Sequence, residues 1–427
     1  MLICLLDQRS GFAIAASTQE KIKVGFVFFL SGPGAAYGTH ARDGAKLIVE
    51  SLNEGKVPTP YDKVGFNGVQ IEPVWVDEAG GAQKQLAEYR RLVEREQVEM
   101  VIGYNSSADC NAIAPVAEEL AVLTNFFHCG NPQLFEEIVT KPEYSVRTAP
   151  QGTMDNVGAA RYVLDRMPDV KAVAGINQNY SWGQDNWAEF KAAMIALKPG
   201  IVFKNEQFPN LGAGEYGAEI SALLSAPVDV VYSSFWGGDA DAFALQAKVR
   251  GLPQKSKIVM TIGTGTVDSL GENAIIGSFL GARGPHGYLA KSSPLSDWFL
   301  REYQATYRRF PPVGAYVAAQ AILGIKAAYE KAAAASAKPG KQKNENVVAA
   351  LRGLVFETAS GYPITMALAN GHQAIQDIAY GTFAGWDKEK NAAIFRDIKV
   401  YPAACVNPPE GVRAVDWIKS GFKGAKC

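Results

Sequence analysis

Two adjacent serines, Ser106 and Ser107, follow the apolar run Glu99–Tyr104 and open a stretch of helical periodicity, Ala108–Leu120. The free backbone N–H groups and the dipole at such a helix start favour an anionic group such as a carboxylate. Cys129, Gly130 and Asn131 end the next apolar run, directly after His128, while Ser31 and Tyr37 follow the first run and Asn105 precedes the serine pair. Later runs end in larger groups: Tyr180 and Trp182, then Phe235 and Trp236, then Thr264. Those rings offer an apolar or cation-attracting wall. Hydroxyls and glycines thus gather after the early runs and aromatics after the later ones. This is the chemistry of holding a small anion with an apolar body. Taken singly, Ser107 also reads as a plain helix cap and each ring as core.

Bond-making chemistry is poorly supported. The chain has no G-x-x-x-x-G-K-[ST], no G-x-S-x-G and no H-E-x-x-H. His40, His128, His286 and His372 are scattered without metal-ligand spacing. Ser31-Gly32-Pro33-Gly34 follows a strand but lacks the spacing of a dinucleotide fingerprint. Ser107 with His128 is the one nucleophile–base pair worth naming. We expect no catalytic residue, no cofactor and no metal.

A repeating alternation positions these residues. Apolar, β-branched or aromatic runs predict strands at Lys23–Leu30, Gln70–Val76, Glu99–Tyr104 and Val122–Cys129, with helices at Arg42–Asn53, Ala82–Arg95 and Ala108–Leu120 between them. A second series predicts strands Ala172–Asn177, Val202–Gln207, Asp229–Phe235 and Lys257–Ile262, again separated by helices. Such alternation implies α/β architecture with parallel sheets covered by helices, here as two similar lobes. In open α/β sheets ligands bind beyond the carboxyl ends of the strands, where the polar and aromatic residues fall. After Gly284 the pattern changes to two long helices, a polar loop at Ala337–Lys343, and short strands near Ile364–Ala367 and Ala379–Trp386 that read as hairpins.

At 427 residues the chain is too long for one ordinary domain, and 48% hydrophobic with 20% charged residues excludes disorder for most of it. A net charge of -1 gives no global attraction to nucleic acid or an acidic membrane. No run of about 18 apolar residues predicts a membrane span. Residues 1–20 read as a leader remnant, with an apolar start and the small residues Gly11–Ser17 of a signal-peptidase site. Setting Cys4 aside, four cysteines remain. Cys110 in the first turns of a helix and Cys129 at the end of the following strand are neighbours in a parallel βαβ unit, and Cys405 with Cys427 would close the C-terminal tail. Buried free thiols are the alternative.

Five stretches together resemble the type I periplasmic solute-binding proteins of ABC transporters, in the branched-chain amino-acid receptor group: Phe29–Gly38 (FLSGPGAAYG), Val101–Pro115 (VIGYNSSADCNAIAP), Tyr144–Pro150 (YSVRTAP), Asn177–Gln184 (NQNYSWGQ) and Val230–Asp239 (VVYSSFWGGD). The resemblance runs from about Lys21 to Val400. It implies two Rossmann-like lobes joined by three hinge crossovers, near Thr148, Arg283 and Glu357. One lobe would take 21–147 plus 285–357, the other 148–284 plus 358–400, and 401–427 would be a tail. It also implies a periplasmic, exported protein without enzymatic activity. A ligand-driven hinge closure would present a trapped molecule to a membrane permease, and a monomer is expected of such a shuttle.

By position, Ser107 would hold the ligand carboxylate with Ser106 beside it. Cys129 and Gly130 match a loop that assists, Tyr37, Trp182 and Trp236 match side-chain or ammonium contacts, and Asn131, Tyr180, Phe235 and Thr264 complete the candidate site from their places at strand ends. Two departures matter. The family's carboxylate-binding threonine appears here as Gly130, and its ammonium-binding glutamate should lie within Thr261–Gly265, a stretch with no acid. Asp239 is the nearest substitute. The ligand expected is therefore a small organic carboxylate or amide, aromatic acids included, with a branched-chain amino acid still open. A ligand-sensing module of the same fold acting in signalling is the alternative, disfavoured by the lack of a DNA-binding domain.

Overall fold

The computed structural model describes residues 20–226, 228–337 and 340–427; the expected leader lies outside them except for Glu20. Strands β1 (Lys21–Phe28), β2 (Gln70–Asp77), β3 (Met100–Gly103), β4 (Leu123–Phe126) and β5 (Ser145–Pro150) alternate with helices and pair in parallel, in the order β5-β4-β3-β1-β2. The chain then crosses to a second sheet, where β6 (Ala172–Ile176), β7 (Val202–Gln207), β8 (Val230–Ser233), β9 (Lys257–Met260) and β10 (Phe279–Gly281) repeat the pattern. Most of these strands are apolar on both faces because helices cover both faces, as parallel sheets require.

The chain returns through Arg283 to the first lobe. There the helix Val313–Ser336 buries most of its length against the helix Ala35–Asn53. Gly44 makes that approach possible, since a Cβ on it would overlap the backbone of Ala315. The contact fixes the helix that carries Tyr37.

Strands β11 (Val355–Phe356), β12 (Ile364–Leu368) and β13 (Gln373–Ile375) extend the first sheet beside β5, whereas β14 (Ile378–Asp387) and β15 (Ala392–Tyr401) extend the second beside β10. The third crossing therefore lies at Gln376–Asp377 and not near Glu357 as the sequence suggested. Two forces keep β12 and β13 in the first lobe. Ile364, Met366 and Ala374 are buried in its core with Phe356 and Leu351. Gln373 also donates from Nε2 to Ala149 O at 2.9 Å, and His372 O accepts Arg147 N at 2.7 Å.

Both expected disulfides form, Cys110–Cys129 and Cys405–Cys427. The tail lies on the second lobe, with its helix Ala414–Lys419 packed on Ser181–Leu197. It also reaches the first lobe: Ala414 N donates to Glu136 Oε1 at 2.8 Å, Asn370 N donates to Glu410 Oε1 at 2.8 Å, and Arg413 pairs with Glu137. None of the helices among the described residues is long and apolar enough to cross a membrane.

Candidate functional site

The carboxyl ends of the two sheets face each other, and the lobes touch there. Gly238 N donates to Pro33 O at 3.2 Å, and the ring of Phe29 lies 5.8 Å from that of Trp236. Between them is a small enclosed junction lined by Asn105, His128, Gly130, Tyr180, Trp182, Trp236, Ile262 and Arg283, with about 10 Å³ of free space. That space holds no more than about one water molecule. Depressions of about 460 and 530 Å³ lie elsewhere, one along the lobe edge by Tyr288 and Trp386, the other under the tail by Pro408–Arg413. The junction is nonetheless the better site, because buried polar atoms without partners converge on it.

Such atoms are uncommon in folded proteins and call for an explanation. Here they are Asn105 Oδ1, His128 Nε2, Arg283 Nε and Nη1, with Tyr37 OH and Ser107 Oγ nearby. Ser106 caps the helix Ser107–Glu119 by accepting from Asp109 N, which leaves the next hydroxyl, Ser107, free and 1% exposed. The Tyr37 ring lies 4.5 Å from that of His128, tilted by 34°, and meets Trp236 edge-on at 6.4 Å. Burial and the neighbouring Arg283 cation push the His128 imidazole well below its ordinary range, so it is neutral.

The indoles are fixed by their own hydrogen bonds. Trp182 Nε1 donates to Ser234 O at 2.8 Å, and Trp236 Nε1 donates to Tyr180 OH at 2.9 Å. Their faces form the expected wall, but what occupies it is a cation: the Arg283 guanidinium lies 4.8 Å from the Trp182 ring centroid. Arg283 Nη2 donates to Pro150 O at 2.6 Å, tying the second crossing to the first. Nη1 lies 3.3 Å from Asp155 Oδ2, within ion-pair range but outside hydrogen-bond geometry. Burial raises the Asp155 carboxyl to about 7 against the opposing pull of Arg283. A second buried guanidinium, Arg147, donates from Nη1 to Cys129 O at 3.0 Å and Asn131 O at 2.8 Å, and burial together with Arg283 pushes it down to about 9.

The structure thus brings Tyr37, Gly130, Tyr180, Trp182 and Trp236 to one place, with Ser106 and Ser107 at the adjoining helix start. Phe235 is a correction: it packs into the second-lobe core against Tyr216 at 5.1 Å and Phe243 at 5.7 Å, because successive residues at the strand end point to opposite sides and Trp236 takes the cleft. Cys129 has its sulfur in the disulfide and its carbonyl on Arg147, and Asn131 donates to Asn111 Oδ1 at 2.8 Å. Thr264 is buried in the helix Gly263–Leu270 with Oγ1 unpartnered. Asp239 faces away, accepting from Gln178 Nε2 at 2.7 Å and Gly212 N at 2.8 Å. Arg283, expected only as a crossover, also lines the junction; its signal was a lone arginine among small residues in Gly281–Gly284.

A family model described as periplasmic binding protein matches residues 21–390. The leucine-, isoleucine-, valine-, threonine-, and alanine-binding protein of Pseudomonas aeruginosa is 25% identical over 356 residues, covering 82% of this chain and 87% of that protein. A solute binding protein of an ABC transporter from Rhodopseudomonas palustris BisB5, solved with 3,4-dihydroxybenzoic acid, superposes with a TM-score of 0.74 at 19% identity, over 90% of this chain and 98% of that one. A branched-chain amino acid transporter substrate binding protein from Streptococcus pneumoniae, solved with isoleucine, gives 0.72 at 20%, over 90% and 100%. The chain belongs to the periplasmic binding protein family, as a non-enzymatic solute-binding protein of the ABC-transporter type.

Proposed function

We propose that this protein is the exported receptor of an ABC importer and that its solute is a small organic acid without an α-ammonium group, an aromatic carboxylate fitting best. One observation carries the reading. Arg283 is buried in the junction with Nε and Nη1 free of hydrogen bonds and only a 3.3 Å ion-pair contact to Asp155, while none of the residues lining that junction is acidic. A carboxylate there gains a charge-assisted pair. An ammonium would meet the Arg283 cation, with the nearby Asp155 already facing that guanidinium, which is costly. The flat faces of Trp182 and Trp236 suit a planar body. Solute-binding proteins of similar fold carry 3,4-dihydroxybenzoic acid, benzoate and 4-hydroxybenzoate. The two disulfides fit an oxidising compartment outside the cytoplasm. A monomer, delivering its solute to a permease, is part of the same proposal.

Asp155 keeps an amino acid in view as a second reading, since its carboxyl oxygens lack hydrogen-bond partners and would receive an ammonium if Arg283 moved aside. A thermal-shift panel separates the two. Benzoate and 4-hydroxybenzoate should stabilise the protein by about 2.7 kcal/mol at a hundredfold excess over Kd, with no turnover. Leucine, isoleucine and phenol should not. Stabilisation by leucine alone would sink the carboxylate reading.

A further inference from the structure

We propose that Glu78 and Asp109 are positioning residues of the binding site: they hold the Asn105–Ser106 bend, and one proton shared between them sets the charge that a bound carboxylate meets. The inference rests on the anion reading above.

Glu78 follows β2 directly and is 0% exposed. Its Oε1 accepts from Asn105 N and from Ser106 N, both at 2.8 Å, and its Oε2 accepts from Asn105 N at 2.9 Å. The residue before this bend, Tyr104, has φ +70°, a left-handed conformation that costs energy for a bulky side chain. The Glu78 hydrogen bonds offset that cost and fix where Asn105 and Ser107 stand. The bend's own amides are therefore taken by an internal carboxyl. What remains for a ligand carboxylate is the unpartnered Ser107 hydroxyl, while Asn105 Oδ1 is free to accept from a donor elsewhere on the ligand.

Asp109 lies in the first turn of the same helix, 3% exposed, and its carboxyl is within hydrogen-bond reach of Glu78. Two buried carboxyls in contact do not both ionise at little cost. Burial and the Asp109 charge push Glu78 well above the usual range, and burial lifts Asp109 to about 6. The polar groups facing the pair are the Ser106 hydroxyl, the Tyr104 phenol on the bend, and Tyr180 from the second lobe; Tyr89 and Glu88 stand behind Tyr104. With one proton the pair carries a single negative charge. Losing it adds a second negative charge beneath the helix start, which opposes the dipole and repels a ligand carboxylate. Anion binding is thus linked to retention of that proton.

The test uses benzoate, which stays ionised throughout, titrated calorimetrically from pH 6 to pH 8.5. Wild type should lose about tenfold in affinity over that range. Glu78→Gln and Asp109→Asn, either of which removes the shared proton, should give flat profiles. A flat wild-type profile, or a variant that keeps the wild-type slope, overturns the proposal. A ligand-free arm decides the pair independently. Wild type should lose stability relative to Glu78→Gln as pH rises from about 4.5 through the raised range, because a carboxyl that holds its proton more tightly when folded loses stability on ionisation. A constant difference across that range overturns the shared proton whether or not benzoate binds. A sloped difference without benzoate binding supports the pair and instead defeats the carboxylate reading.

Discussion

Gly130 and Arg283 lie so close that a methyl group on the glycine would overlap Nη1 of the guanidinium, and the Trp182 ring closes the other side. Gly130 is not in a left-handed conformation, so its requirement is space. It belongs to the first lobe, Trp182 to the second and Arg283 to the second crossing. The second crossing and the candidate site therefore share one contact.

Gly130→Ala displaces the end of the Arg283 side chain and also the hydrogen-bonded Trp182 ring, so it should cost at least about 1–3 kcal/mol from overpacking. Its affinity for benzoate should fall tenfold or more, since Arg283 is pushed off Trp182. Denaturation midpoints and calorimetric Kd values check both. Unchanged affinity would remove Arg283 from the ligand contacts.

Arg283→Gln tests the same group directly. Removing one member of a buried charged contact costs about 3 kcal/mol, roughly hundredfold in Kd for an anionic ligand. Asp155 then loses its cation, and with burial alone acting it binds a proton more tightly. The double variant with Asp155→Asn should recover stability without recovering binding. Recovery of both would make the arginine a structural partner of Asp155 only.

Legibility in the sequence followed physical cause. The parallel strands were readable because burial on both faces writes a continuous apolar run, as in Val101–Ile102 and Val230–Val231. The serines and most of the aromatics could be placed at the junction because they follow the strands' carboxyl ends. Arg283 was read only as a crossover and not as a junction residue, since β10 is three residues long and leaves no periodic signal before it. The third crossing was misplaced because β12 and β13 are antiparallel hairpin strands, and nothing local says which sheet they extend. Phe235 and Trp236 differ only in which side of the strand end they face. Glu78 reads as one acid of an Asp-Glu pair, and only the fold shows it buried under the bend.

Glu189 supplies a pH test away from the cleft. It is 3% exposed, accepting from Thr153 Oγ1 and Asn156 Nδ2, both at 2.7 Å, and burial raises its carboxyl to about 8. The folded state therefore keeps a proton that the unfolded state has released. Stability drops as pH climbs from the ordinary carboxyl value to about 8 and is constant above. Glu189→Gln should gain on wild type over that window by up to about 1.4 kcal/mol per pH unit, then level off. Chemical denaturation at pH 5, 7 and 9 measures it, and a difference that does not change with pH would mean Glu189 is ionised in the fold.

The tail yields the last test. Cys405–Cys427 closes a loop 22 residues in span, for which chain entropy predicts about 3 kcal/mol of stabilisation. Cys405 is fully buried among second-lobe side chains such as Trp417 and Ile418, so opening the bond also frees the helix Ala414–Lys419 from Ser181–Leu197. That helix begins beside Arg413, whose contacts with Glu136 and Glu137 are on the first lobe. Replacing Cys427 with serine should thus lower the denaturation midpoint. It should also weaken the tie between lobes on the hinge side, raising the ligand dissociation rate while the association rate holds. Arg413→Ala cuts the tie with the disulfide intact, and should change dissociation without the full stability loss. If both variants lose stability and neither alters dissociation, the tail is a staple of the second lobe and takes no part in closure.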